Sequence, residues 1–343
     1  MRWLRVPPRG PYRQVNIHSN QFMKNIDNDD QSMLEHVNRT LAANRKPGLH
    51  FPAHFLGFHS RGINKAGAEL ALQYGPHCAN VDGSINIAAI AALADMGLSV
   101  AMRAHLGEMQ RMATLTLQLQ FTGATARNEL HAKTRFDGFF RDASAIQGRS
   151  IGALYSSGEL ICQASGTFAS PPVPAGIKLV PIAWDNAPFA PDRPLLEARH
   201  MDAAELSAVA RAKVALRARS RHASFIEHFW GQAARRLKSG GASNTVRLGA
   251  HTGNRVGHVH GGVLFGMAAG TAVAALPSEY VLTGASAWYI SPGMGDRLLL
   301  RSAVLQKGRT VGVVQTRVTD QNRRIVLEMV TSHAHHPARA REA

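Results

Sequence analysis

Two short stretches carry residues whose chemistry stands out from their surroundings. Asp95 is the acid that directly follows the apolar run from Ile85 to Ala94, and His260-Gly261-Gly262 stands at the start of a second apolar run, Gly261 to Leu276. A carboxylate held among apolar side chains can take a proton from water. A glycine pair at a helix start leaves backbone N–H groups free, and the missing Cβ lets an oxygen come close to them. The helix dipole favours negative charge at the same end. A base of this kind and an anion-stabilising helix start suit the addition of water to a carbonyl.

An internal repeat relates the elements that carry these residues. Phe51-Pro52-Ala53-His54-Phe55-Leu56-Gly57 resembles Phe225-Ile226-Glu227-His228-Phe229-Trp230-Gly231, 174 positions on (51 to 225). At the same offset Gly75 matches Gly249, His77 matches His251, Asn80 matches Asn254, Gly83 matches Gly257 and Ala94 matches Ala268. In each half a short helix near Phe51 or Phe225 leads to a strand ending near Gly75 or Gly249. A turn and a small-residue helix follow, Ile85 to Met102 or Gly261 to Leu276. The period then switches to two. Leu115, Leu117, Leu119 and Phe121 alternate with Thr114, Thr116, Gln118 and Gln120, which predicts a half-buried strand. Further strands are expected at Leu130 to Phe136, around Gly152 and at Leu160 to Phe168. Val281 to Ile290, Leu298 to Leu305, Val311 to Val318 and Ile325 to Thr331 are the second-half equivalents. The fold class is α+β, a helix lying across an antiparallel sheet in each half.

The expected organisation is an N-terminal extension over residues 1–50, partly disordered, and a first domain over 51–169. A proline-rich linker covers 170–200, and a basic helix lies within 201–224 with Asp202 as its N-cap. A second domain covers 225–335, and 336–343 is a tail. The chain has 343 residues, 45% hydrophobic and 18% charged, enough for two packed domains. Its net charge of +16 implies an anionic ligand. The basic residues form no run, and aromatics at 6% do not alternate with Arg or Lys, so nucleic acid is not expected. No apolar stretch reaches the ~20 residues that span a bilayer, and no secretory signal is visible, so a cytoplasmic protein with no membrane partner is expected. Cys78 and Cys162 read as core thiols, and His333, His335 and His336 as a solvated tail, so no metal site is expected.

The run N-R-V-G-H-V-H-G-G-V-L-F-G-M-A-A from Asn254 to Ala269 resembles the hotdog-fold acyl-CoA thioesterases related to phenylacetyl-CoA thioesterase. The first half reads N-V-D-G-S-I-N-I-A-A-I-A-A-L-A-D from Asn80 to Asp95. The family pattern is Asn, Gly three on, His-Gly-Gly three further and Asp nine after the His. The first half keeps the acid, Asp95, but has Asn86, Ile87 and Ala88 in place of His-Gly-Gly. The second keeps His260, Gly261 and Gly262 but has Ala269 in place of the acid. The hydroxyl usual on the next strand falls on Thr114 in the first half and is replaced by Leu282 in the second.

The resemblance implies two tandem hotdog domains, each a long central helix wrapped by an antiparallel sheet, packed as a pseudo-dimer. It implies one working site, Asp95 and Thr114 of one half facing Asn254, His260 and Gly261 of the other. The reaction expected is hydrolysis of acyl-CoA, with Asp95 as general base on water, or in the alternative as nucleophile on the acyl carbon, and the Gly261 helix start as an oxyanion hole worth about 3–4 kcal/mol. CoA is part of the substrate, and no separate cofactor is expected. Gly262, Arg149, Lys307 and Arg309 are the candidate CoA contacts, and chains are expected to pair as homodimers. Two rivals are weighed. One is an acyl-CoA sensor without turnover. The other is a hotdog hydratase or dehydratase, suggested by His50-Phe51-Pro52, which the repeat sets before the first strand, away from the central helix.

Overall fold

The computed structural model describes residues 18–141, 145–186, 194–231, 233–293 and 295–337, with side chains from Asp29 onward. In the first half α2 (Phe51–Phe55) leads into a hairpin of β1 (His59–Asn64) and β2 (Gly67–Leu72), then α3 (Ile87–Leu106). Four strands follow, β3 (Ala113–Phe121), β4 (Leu130–Phe139), β5 (Gln147–Ser156) and β6 (Glu159–Ala169). The second half repeats the plan with α5 (Phe225–Trp230), β7 (Arg235–Arg236), β8 (Ala242–Arg247), α6 (Gly261–Ala275), β9 (Tyr280–Tyr289), β10 (Arg297–Lys307), β11 (Val311–Asp320) and β12 (Ile325–His335). The expected strands are all present, several of them longer, and each half opens with two strands where the sequence showed one.

The twelve strands of the described residues form one sheet, ordered β1-β2-β4-β5-β6-β3-β9-β12-β11-β10-β8-β7, with antiparallel pairing throughout. The halves meet where β3 pairs with β9, from Thr116 opposite Trp288 to Gln120 opposite Gly284. Each half is thus a hotdog fold, an antiparallel sheet around one central helix, and the two share a continuous sheet with α3 and α6 packed inside it. Alternation sets the faces. On β10, Leu298, Leu300 and Ser302 are buried while Arg297, Leu299 and Arg301 are exposed. α3 is 20 residues long and apolar enough to cross a bilayer, but it is the core helix of its half, with Ala88 to Met102 buried throughout. The apolar run therefore continues past Asp95 in a single helix.

The two helices approach closely because their facing residues are small. A Cβ on Gly262 would lie 2.5 Å from the Ala92 Cα, and one on Gly266 only 2.1 Å from the Ala88 Cα. These contacts are related by the repeat, since Ala88 corresponds to Gly262 and Ala92 to Gly266 at the 174-residue offset (88 to 262, 92 to 266). Core packing at interior density leaves no room for an added methyl at either place.

Part of the N-terminal extension is helical. Residues 1–17 lie outside the described residues, but α1 (His18–Asn44) is a continuous helix. Met33, Val37 and Leu41, spaced four apart, are buried in the main core. Arg45, just past its end, holds Glu205 with two hydrogen bonds of 2.7 Å. Asn38 exchanges two more with the Leu196 backbone, at 2.9 and 2.7 Å. Glu205 belongs to α4 (Ala203–Ala218), the expected basic helix, whose N-cap Asp202 forms a capping box with it. Ala208, Ala212, Ala215 and Leu216 of α4 are buried.

The proline-rich segment is also more than a spacer. Among its described residues Leu179 and Ile182 are buried, the Asp185 carbonyl accepts from Ser60 N–H at 2.9 Å, and the Pro172 carbonyl accepts from Arg111 at 3.1 Å. The segment is a strap laid across both halves. The C-terminal histidines need a correction too. His333 and His335 lie on β12, His333 is buried with Nε2 2.9 Å from the Thr331 hydroxyl, and His335 packs edge-on against Tyr280. Burial pushes His333 down to about 4. Among the described residues no group of His, Cys, Asp or Glu is arranged to hold a metal ion. Cys78 and Cys162 are buried free thiols, pushed up to about 11 and about 12 by burial.

Candidate active site

Asp95 sits on the buried face of α3, opposite the first turn of α6. Its Oδ2 accepts a hydrogen bond from Gly262 N–H at 3.0 Å, and its Oδ1 accepts one from the Thr114 hydroxyl at 2.8 Å. The helix start thus meets the acid across the interface between the halves, and β3 brings the hydroxyl to the same carboxylate. Gly261 is the residue that makes this possible. A Cβ there would lie 2.9 Å from both Asp95 Oδ2 and Thr114 Oγ1. The Gly261 N–H has no hydrogen-bond partner among the described residues, and Gly261 faces the cavity described below.

His260 is the N-cap of α6. Its Nδ1 accepts from Gly262 N–H at 3.1 Å and from Val263 N–H at 3.4 Å. A nitrogen that accepts from backbone N–H groups carries no proton of its own. The 3.7 Å separation of His260 Nδ1 and Asp95 Oδ2 is therefore a contact between two acceptors, not an ion pair. Burial pulls His260 below the usual histidine range, outweighing the opposite pull of Asp95, in keeping with a neutral ring. Asn254 also borders the cavity, but its Oδ1 accepts from Val256 N–H at 3.0 Å and His258 N–H at 3.1 Å, which fixes the loop that delivers His260.

Two further residues, His50 and Tyr289, join the site. His50, the N-cap of α2, borders the cavity, and its ring meets that of His260 edge-on with centroids 4.6 Å apart. Position before the first strand did not keep it from the centre, because α2 runs close to the loop before α6. Its Nδ1 accepts from Ala53 N–H at 3.3 Å, and burial, reinforced by the nearby His260, holds its pKa well below the ordinary value. Tyr289 donates from its hydroxyl to the Gly261 carbonyl at 2.7 Å, bracing the first turn of α6. Burial and then the Asp95 charge push the phenol well above its ordinary range. The signal was present in the sequence, since Tyr289 stands where the first half has Phe121.

Asp95, Thr114, Asn254, His260 and Gly261 all border one cavity of about 280 Å³. Its apolar wall includes Met96, Leu264 and, from the strap, Leu179 and Ile182, while Arg103, Arg111 and Arg255 supply positive charge. The expected CoA contacts are not among these residues. Arg149 is exposed on the outer face of β5, 3.5 Å from Asp137. Lys307 and Arg309 flank Gly308, whose carbonyl accepts from Tyr280 beyond the C-terminal end of α6, about 22 Å along that helix from Gly261. Gly262 is buried and serves Asp95 and close packing.

The equivalent place on the other side of the molecule lacks this chemistry. Ala269 and Leu282 replace the acid and the hydroxyl, and Asn86 caps α3 by accepting from Ala88 N–H at 2.8 Å. A cavity of about 480 Å³ remains there, bordered by Asn86, Ile87, Gly266 and Leu282.

No family model and no curated protein matches the sequence. Among solved structures the chain is similar to a putative thioesterase from Novosphingobium aromaticivorans DSM 12444, with a TM-score of 0.49 and 13% identity over 81% of this chain and 98% of that one. It is also similar to a tesB protein of Mycobacterium avium subspecies paratuberculosis, with a TM-score of 0.48 and 10% identity over 81% and 96%. A Bacillus halodurans protein solved with CoA matches with a TM-score of 0.35 and 19% identity, over 40% of this chain and 95% of that one.

Proposed function

We propose that this chain hydrolyses acyl-CoA thioesters at a single composite site between its halves. The observation that carries the reading is the Asp95 carboxylate held between the Thr114 hydroxyl and the glycine-started N-terminus of α6. Each carboxylate oxygen has one such partner and keeps a lone pair for water.

The thioester carbonyl oxygen would accept from the free Gly261 N–H. A water held by Asp95 and Thr114 attacks the carbonyl carbon while Asp95 takes its proton. Negative charge then develops on the carbonyl oxygen, at a helix start whose dipole and N–H favour it. When the intermediate collapses the C–S bond breaks, the sulfur leaves with the bond's electron pair, and Asp95 returns the proton to it. The products are the free acid and the thiol. His260 and Tyr289 act through α6, fixing its first turn, and Asn254 acts through the loop before it. The net charge of +16 supports an anionic substrate such as a CoA ester.

The test is release of free thiol by the full chain from short, medium, long and aromatic acyl-CoA esters. Turnover that Asp95→Asn abolishes is expected. Tight binding of acyl-CoA without thiol release would make the protein a sensor, and hydration of enoyl-CoA without hydrolysis would make it a hydratase.

A further inference from the structure

Two arginines of the cavity have no carboxylate paired with them among the described residues. Asp95, Ser99 and Arg103 follow one another down α3 at four-residue spacing and all border it. The Arg103 Nε and Nη1 are sealed from solvent and have no hydrogen-bond partner among the described residues. Arg255, from the loop before α6, borders the same cavity. Its Nη2 donates to the Val180 carbonyl of the strap, while its Nη1 is sealed and unpartnered. Burial, and secondly the charge of Arg255, press Arg103 down to about 10, although Glu108 pulls the other way. Glu108 itself is exposed and makes no ion pair with Arg103 among the described residues. Asp95 is committed to Thr114 and Gly262. Two guanidinium groups with sealed, unused donors are costly to bury unless a counter-charge meets them.

We propose that Arg103 and Arg255 form a carboxylate subsite, and that the acyl group hydrolysed at Asp95 is a short dicarboxylic acid, its far carboxylate held by these arginines. This rests on the thioester-hydrolysis reading given above. A carboxylate matches the forked donors of arginine and answers both charges. The spacing selects the acyl end of the substrate over the CoA phosphates. Eight residues at ~1.5 Å each set Asp95 and Arg103 about 12 Å apart along α3. The arginine side chain leans back towards the helix N-terminus and shortens that gap further. A few methylenes bridge such a distance, whereas the extended pantetheine arm between thioester sulfur and first phosphate is longer. Met96, Leu179 and Ile182 supply the apolar wall that those methylenes need.

Matched hexanoyl and adipyl thioesters, each on CoA and on phosphate-free N-acetylcysteamine, test the proposal with the full chain. Wild type should favour adipyl over hexanoyl by about tenfold or more in kcat/KM on both carriers, the usual scale for a charged hydrogen bond. Arg103→Met should erase that ratio, and Arg103→Lys should keep part of it. Thermal unfolding of Arg103→Met should show no loss of stability, because the charge removed is unpaired. A preference for hexanoyl on both carriers would overturn the proposal. So would an Arg103→Met defect equal for both acyl groups and confined to the CoA esters, which would put a phosphate on Arg103. Calorimetric titration with free adipate separates the subsite from the reaction. Adipate binding that Arg103→Met abolishes supports the subsite even if no thioester turns over, and absence of adipate binding by wild type counts against it even if thioesters do.

Discussion

The Asp95 carboxylate, from one half of the chain, accepts a hydrogen bond at 3.0 Å from the backbone N–H of Gly262 in the other. Neither half alone contains this pair. Replacing the acid by its amide keeps the shape and removes the base. Asp95→Asn should lower thiol release by at least ~100-fold, the usual contribution of a positioned base. Turnover and thermal unfolding measured together check it, and more than about a tenth of wild-type turnover would refute the role.

Gly261→Ala is expected to act through contact alone. Its methyl would meet Asp95 Oδ2 and Thr114 Oγ1, each 2.9 Å away, and both groups must move. Loss of kcat by about tenfold or more, with the unfolding temperature little changed, is the expected result, since small displacements at a reacting centre are costly. Thr114→Val should show part of the same defect, because it removes one of the two partners of the carboxylate.

Ala269→Asp should not rescue Asp95→Asn. The new acid would face Ile87 and Ala88, where no glycine opens the helix start, and Leu282, which holds no water. A buried carboxylate without partners should destabilise the fold or stay protonated. Thiol release by the double variant, Asp95→Asn with Ala269→Asp, is the measurement. Clear recovery would show that the two sites are not unequal in the way described.

Gly266→Ala should cost stability without touching the site residues. The added carbon would lie 2.1 Å from Ala88 Cα, in a contact between two helix backbones that cannot swing aside. A loss of about 1–3 kcal/mol is expected. Urea unfolding followed by circular dichroism checks it.

Buried histidines should make the fold sensitive to mild acid. Burial, helped by the Arg211 charge, pushes His251 down to about 3. An unfolded histidine titrates near 6.5, so above that pH both states are neutral and stability is unaffected. Below it the unfolded chain takes up a proton that the folded one refuses, and stability falls as pH drops towards about 3, by about 1.4 kcal/mol per pH unit. His50, His77 and His260 are shifted in the same direction. Denaturant unfolding at pH 7 and pH 5 should show the loss, and His251→Phe should lessen its slope. Equal stability at the two values would contradict it.

Much of the fold could be read from residue spacing. Glycine and histidine matches at one offset gave away the repeat, and the switch from helical to alternating period located the strands. The acid and the glycine pair were legible because each is out of character with its apolar run. What escaped depended on contacts between distant segments. Arg103 and Arg255 look like ordinary surface charges until α3, the loop before α6 and the strap enclose them. Leu179 and Ile182 have no periodicity that would mark them as a roof. The Met33, Val37 and Leu41 stripe of α1 is narrow and set in a polar helix, so it leaves little periodic signal in the sequence. The place of His50 in the chain says little about what lies beside a helix start in space.

The two similar halves that meet where β3 pairs with β9 belong to one covalent chain. In an assembly of two identical subunits, every substitution appears twice, so an acid cannot be lost from one site and kept in the other. Fusion lifts that restriction. Ala269 could replace an acid without touching Asp95, and Leu282 could replace a hydroxyl without touching Thr114. The 480 Å³ cavity bordered by Leu282 is then free to change without altering the residues around Asp95.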